Sequence, residues 1–129
     1  MFEVNKSTMA ITMHKGDTGA FTVTLSKTSG AAFEDGDTAI FEVWQGNTRK
    51  MHREFNLQPD EPTYMELGDG KILMAFRNSD TDTWAAGSYS TELRVALNPI
   101  RSGGAVVDGD TVRTIIQSTL TIRDVRINI

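Results

Sequence analysis

Apolar residues in this chain recur at every second position, a period that suits a half-buried strand and excludes an amphipathic helix over the same stretch. Phe21, Val23 and Leu25 alternate with Ala20, Thr22, Thr24 and Ser26, in a run rich in the β-branched and aromatic types that strands favour. Met9, Ile11 and Met13 alternate with Ala10 and Thr12, and Ile72, Met74 and Phe76 alternate with Lys71, Leu73, Ala75 and Arg77. Tyr89, Leu93, Val95 and Leu97 oppose Ser90, Glu92, Arg94 and Ala96 in a long run closed by Asn98 and Pro99. From Thr38 to Trp44, Ala39, Phe41 and Val43 oppose Ile40, Glu42 and Trp44. Both faces of that run are partly apolar, which places it centrally in a sheet. Val112 to Arg123 sets Ile116, Leu120 and Ile122 against Arg113, Gln117, Thr119, Thr121 and Arg123, and Val125, Ile127 and Ile129 continue it after a bend at Asp124.

Between the runs lie His14 to Thr18, Lys27 to Asp37, Gln45 to Asn47, Gln58 to Pro62, Leu67 to Gly70 and Ile100 to Asp110, all weighted towards turn-forming residues. Short strands punctuated this often predict an all-β sandwich or barrel. The expected core includes Phe21, Val23, Leu25, Phe41, Val43, Phe76, Leu93, Val95, Ile116 and Leu120. One helical turn is expected over Asp80 to Ala86, with Ser79 as its cap and Gly87 ending it in a left-handed conformation. Gly16-Asp17-Thr18, Gly36-Asp37-Thr38 and Gly109-Asp110-Thr111 each precede a strand at unequal spacing. This is one local solution used three times rather than a repeat array: Gly supplies an unusual backbone angle and Asp bonds nearby amides.

At 129 residues the chain fits one domain, residues 1–129, and a chain of this size buries roughly two-thirds of its unfolded surface, enough for a core without staples. Thirteen Lys and Arg against seventeen Asp and Glu give a net charge of −4, so the broad positive field that duplex nucleic acid demands is missing. The sequence has no cysteine, which excludes disulfides, thiolate zinc sites and a Cys nucleophile. Met1 leads into Phe2-Glu3-Val4-Asn5-Lys6 with no apolar leader, and no stretch approaches the length of a membrane span. No nucleic-acid partner, membrane association or signal peptide is therefore expected.

Candidate chemistry is sparse. His14 lies at a strand end, and His52 sits among Arg49, Lys50, Met51 and Arg53 on a strand face alternating with Met51, Phe55 and Leu57. Neither belongs to a His-x-His, His-Glu-x-x-His or Gly-x-Ser-x-Gly pattern, so no catalytic residue, metal site or cofactor is assigned and the chain is read as non-enzymatic. The carboxylate pairs Asp35/Asp37, Asp60/Glu61, Asp80/Asp82 and Asp108/Asp110 match no calcium loop and fit ordinary turns. Trp44 and Trp84 are candidate platforms for a sugar ring or an interface, and Trp84 alternatively plugs the end of the core. The basic run from Arg49 to Arg53, with Arg113, Arg123 and Arg126, is a candidate for an anionic partner or a subunit contact or, more simply, for solvated positions that discourage edge-to-edge pairing.

The segment Asn78-Ser79-Asp80-Thr81-Asp82-Thr83-Trp84-Ala85-Ala86-Gly87-Ser88-Tyr89, followed by the alternation to Leu97, resembles the corner of an immunoglobulin-like sandwich, with Gly87 and Tyr89 as its structural corner residues. Lys15-Gly16-Asp17-Thr18 before Phe21-Thr22-Val23-Thr24-Leu25, Phe41-Glu42-Val43 and the closing strand Thr114 to Ile122 complete an order that resembles the N-terminal domain of phage baseplate upper proteins over most of residues 9 to 123. The resemblance implies an antiparallel immunoglobulin-like β-sandwich of about 7 to 9 strands. It further implies a virion part: a tail or baseplate adaptor that binds other tail and baseplate proteins, forms homo-oligomers in the particle and brings no catalytic residues. The family domain is usually followed by a long region reaching the receptor-binding end; this sequence stops after its last strand and is expected to be a separate small tail protein or an isolated domain. A carbohydrate-binding or adhesin-type module using either tryptophan is the alternative expectation.

Overall fold

The alternating runs pair into two layers in a computed structural model that describes residues 2–102, 105–108 and 111–123, and the backbone alone over 100–113. In chain order the elements are β1 (Phe2–Val4), β2 (Ile11–His14), β3 (Gly19–Thr24), β4 (Thr38–Gln45), β5 (Thr48–Asn56), β6 (Glu66–Gly68), β7 (Lys71–Phe76), α1 (Asn78–Thr81), β8 (Gly87–Leu97), β9 (Ile100–Ser102), β10 (Ala105–Asp108) and β11 (Thr111–Arg123). A six-stranded sheet runs β1-β2-β11-β8-β4-β5, facing a three-stranded sheet β3-β7-β6; β9 and β10 form a separate ladder between β8 and β11. The nine strands of the two layers make an all-β sandwich. The small layer follows the B-E-D order of an immunoglobulin-like fold and β11-β8-β4-β5 the G-F-C order with one added strand.

All pairings are antiparallel except that of β2 with β11, which is parallel from Leu120↔Ile11 to Arg123↔His14. The strand at the start of the chain thus lies beside the one near its end, a contact that local alternation does not encode. Central β4 pairs with β8 on one side and β5 on the other and is buried on both faces, as its two-sided apolar pattern predicts.

The core lies between the layers. Phe41 of β4 meets Phe76 of β7 edge-on, with centroids 6.3 Å apart at 86°, and Ile11, Met13, Val43, Ile72, Met74, Leu93 and Leu120 are fully buried around them. Phe21, Val23, Leu25 and Ile116 face the same core but are only half-buried. Phe21 and Val23 lie on the edge strand β3 and Leu25 just beyond its end, and Ile116 follows a bulge in β11 that turns Ile115 outward to 45% exposure. Phe2 of β1 packs on Phe21 and Phe76, with centroids at 6.5 and 5.8 Å. It lies so close to Gly19 that a β-carbon there would overlap its ring.

The Gly-Asp turn is the same structure at its first two occurrences. Asp17 Oδ2 accepts from the His14 amide and Asp37 Oδ2 from the Glu34 amide, each at 2.9 Å and each three residues back. Gly16 and Gly36 take φ of 78° and 97°, the left-handed region where a side chain is strained. Buried Asp37 also accepts the Asn98 amide at 2.9 Å, tying this turn to the far end of β8. The third occurrence, at 109–111, falls on Gly109 and Asp110, outside the described residues, as do Asp124, Val125, Arg126, Ile127 and Ile129.

Three expectations are corrected. The strand expected from Met9 begins at Ile11, because Met9 takes φ 60° in a turn where its amide bonds to Asn5 O at 2.7 Å. The helical turn spans Asn78–Thr81 rather than 80–86 and is not capped by Ser79. Asp80 reaches back 2.6 Å to the Arg77 amide and so starts the turn earlier. Gly87 has positive φ, 146°, but opens β8 instead of ending the helix.

Truncating Phe41 or Leu93 to Ala should lower stability in urea melts by about 2 to 5 kcal/mol, because each leaves a cavity between the layers. Thr22→Ala and Thr119→Ala, on exposed positions, should change it by less than about 0.5 kcal/mol. The reverse order would mean that the strands face the other way.

Candidate functional site

The outer face of β4, flanked by β5 and β8, carries the densest group of charged side chains among the described residues. Alternation puts Ile40, Glu42 and Trp44 on that face, and register sets Glu42 beside His52 on β5 and Glu92 on β8. Glu42 is only 4% exposed. Its Oε1 accepts from Arg94 Nη2 at 2.8 Å, and its Oε2 accepts from Arg49 Nη1 at 3.1 Å and lies 2.9 Å from His52 Nδ1. His52 Nε2 is in turn 2.8 Å from Glu54 Oε2. His52 thus bridges two carboxylates, one at each ring nitrogen. Arg94 Nε is 3.0 Å from Glu92 Oε1, an ion pair whose direction makes no hydrogen bond.

Burial pushes the Glu42 carboxyl up, but the bonds from His52 and Arg49 and the charge of Arg94 together outweigh it and hold the group below its ordinary value of 4.5. Arg49 and Arg94 pair with Glu42, Arg94 also with Glu92, and His52 bridges Glu42 and Glu54, so the polar groups of the cluster find partners within it. The described residues hold no group of three or more His, Cys, Asp or Glu placed to bind a metal ion. His14 is on β2, four strand spacings or about 19 Å from β5, so the two histidines do not converge.

The site residues expected from sequence separate into two groups. Trp44 and Arg49 are brought together, directly opposite each other across β4 and β5 beside a bulge. Half-buried Trp44 lines a shallow hollow of about 560 Å³ with Ser90, Glu92, Gln117 and Thr119. Trp84 is not a platform: it is 5% exposed, stacked at 5.1 Å and 36° on Tyr89 and covered by Lys50 at 5.8 Å. Tyr89 Oη donates to the Ala85 carbonyl at 2.6 Å, the geometry of a tyrosine corner, which pins the segment carrying Trp84 over the end of the core. Arg53 faces inward instead of solvent. It donates to Ala75 O, pairs with Asp80 Oδ2 at 2.7 Å and lies 5.4 Å from the Phe76 ring, bracing β5 against β7 and α1. The Arg113 side chain and all of Arg126 lie outside the described residues.

Glu42, Glu54, Glu92 and Arg94 were not singled out by sequence reading. The available signal was the one charge in the otherwise uncharged run from Thr38 to Gln45, but its partners emerge only from strand register. No family model matches the chain, and no curated protein matches it.

Arg94→Met, which strips a partner from a buried carboxylate, should cost about 1.5 to 3 kcal/mol at neutral pH. Arg49→Met, at a half-exposed position, should cost less than about 1 kcal/mol. Since the folded value of Glu42 lies below the unfolded one, its contribution is present above pH 4.5 and is lost as pH falls through the folded value. The stability gap between wild type and Glu42→Gln should therefore narrow as pH is lowered below 4.5, and a gap that stays constant in urea melts across that range would contradict the bonding described.

Proposed function

We propose that this chain is a non-enzymatic structural protein of a phage or prophage tail or baseplate, an assembly adaptor that works through its sheet faces and edges. In that role it resides in the virion after synthesis in the bacterial cytoplasm, and its partners are other tail or baseplate proteins and further copies of itself. The observation that carries the reading is where bonding capacity has been spent. The charged side chains of the broad face bond to each other, whereas apolar side chains stay open near strand edges, with Tyr64 69% and Ile115 45% exposed. Repetition in a symmetric particle multiplies weak contacts of this kind into a stable assembly. The resemblance of its strand order and corner segment to baseplate upper proteins points the same way.

Co-expression with the products of the flanking genes, followed by light scattering on the purified material, tests this. A stoichiometric complex with a tail-gene product is expected. Flanking genes unrelated to tails, together with a strict monomer at high concentration, would remove the proposal.

The hollow beside Trp44 supports a second reading, a carbohydrate-binding or adhesin-type module, since an indole at the margin of a polar depression can stack on a sugar ring. Binding on a glycan array that Trp44→Ala abolishes, with Trp84 left in place, would favour it over the assembly role, and an array without signal would discard it.

A further inference from the structure

Four strand edges bound the two layers, and three of them are protected. The β5 edge carries Arg49, Lys50, His52 and Arg53, while β1 and β6 are three residues long and include Glu3 and Glu66. Charge and shortness are the usual devices that stop an open edge from templating another strand. The fourth edge, β3, has neither. It is six residues long, pairs only with β7, and lies in a stretch from Thr18 to Ser26 without charge or proline and rich in Thr, Val and Phe. Alongside it runs a groove of about 800 Å³ whose apolar lining includes Val4, Phe21, Val23, Leu25, Ile115 and Ile116. Inward-pointing side chains of an added strand would seat there.

We propose that β3 pairs with β3 of a second copy, antiparallel, about a two-fold axis through Thr22. The strand is self-complementary in that register. Phe21 faces Val23 of the other copy on the core side, twice over, and on the outer side Thr22 faces its own equivalent while Ala20 faces Thr24, all favourable classes of cross-strand neighbour. The nearest flanking charges, Asp17 and Lys27, already bond within the chain, Asp17 to the His14 amide and Lys27 at 3.7 Å from Asp37, so the strand meets its twin with no charge of its own in the ladder. A register displaced by one residue turns core-facing side chains to solvent. A displacement by two keeps the faces but moves the axis off Thr22 to Phe21 or Val23, on the core side. The inference deepens the assembly reading by naming the surface through which copies meet.

Sedimentation velocity over a concentration series on the wild type, Thr22→Lys, Thr22→Glu and an equimolar mixture of the two variants tests it. Thr22 is exposed, so either charge is compatible with the fold, and circular dichroism checks that it is kept. The wild type should be a reversible dimer, each variant alone should associate about tenfold more weakly or worse because like charges meet at the axis, and the mixture should recover the dimer. A wild type that stays monomeric, or single variants that dimerise as the wild type does, overturns the proposal. In the second case self-association proceeds through another surface, and in the first a complex with a flanking tail-gene product would still support the adaptor role. Thr22→Cys, in a chain with no native cysteine, adds a readout of register. Oxidation should give a disulfide dimer on a non-reducing gel while Thr48→Cys on β5 does not, and equal or absent cross-linking counts against the axis.

Discussion

The contact on which the rest of the structure depends is the edge-on meeting of Phe41 and Phe76, because it joins layers of unequal size. A three-stranded sheet cannot cover the inner face of a six-stranded one, and uncovered apolar area on that face is unfavourable in proportion to its extent. The deficit is closed by residues from turns and ends: Trp84 and Tyr89 at one margin, Phe2 over Gly19, and Met9 and Phe33 from loops. This explains why Trp84 is sealed beneath a hydrogen-bonded corner. It also explains why Arg53, whose basic neighbours Arg49 and His52 on β5 bond on the outer side of the sheet, crosses the gap to β7 and α1.

Glu42 shows how a charge can organise a strand without doing chemistry. In β4 both faces are apolar, so alternation alone discriminates weakly between the two ways of facing the core. Shifting the strand by one residue would drive the single charge of Thr38–Gln45 into the space between the layers, away from His52, Arg49 and Arg94. Removing a carboxylate from water is unfavourable, and the three donors offset that cost in only one register. The network thus fixes β4 between β5 and β8, and its members spend their bonds on one another.

Much of this was legible in the sequence because strand alternation is a local property. The period of two located β3, β4, β7, β8 and β11 and identified which side chains of each face inward, and the two-sided apolarity of β4 located it centrally. The Gly-Asp pairs likewise declared turns whose hydrogen bonds close within three residues. What stayed hidden depends on contacts between distant segments. The parallel neighbour of β2 lies more than a hundred residues away and leaves no local trace. Strands as short as β1 and β6 offer too few residues for a period to register. Parity revealed that Glu42, His52 and Arg94 point away from the core, but whether they meet is decided by a register that single runs do not carry.

Strand edges acquire their importance from the same accounting of bonds. The faces of a sheet interact through side chains, and here the outer side chains around Glu42 have already found partners within the chain. An edge interacts through backbone amides and carbonyls, which no substitution removes and which pairing or water must satisfy. Where an edge is short or basic, water remains the better partner because another strand would bring like charges together or gain few bonds. Within β3 itself neither obstacle is present, and the apolar part of the adjoining groove, whose rim Asn5, Lys6 and Ser7 also line, adds burial to any backbone pairing. The two layers therefore differ in what they leave open: an uncharged strand edge on the small one and a face of mutually bonded side chains on the large one.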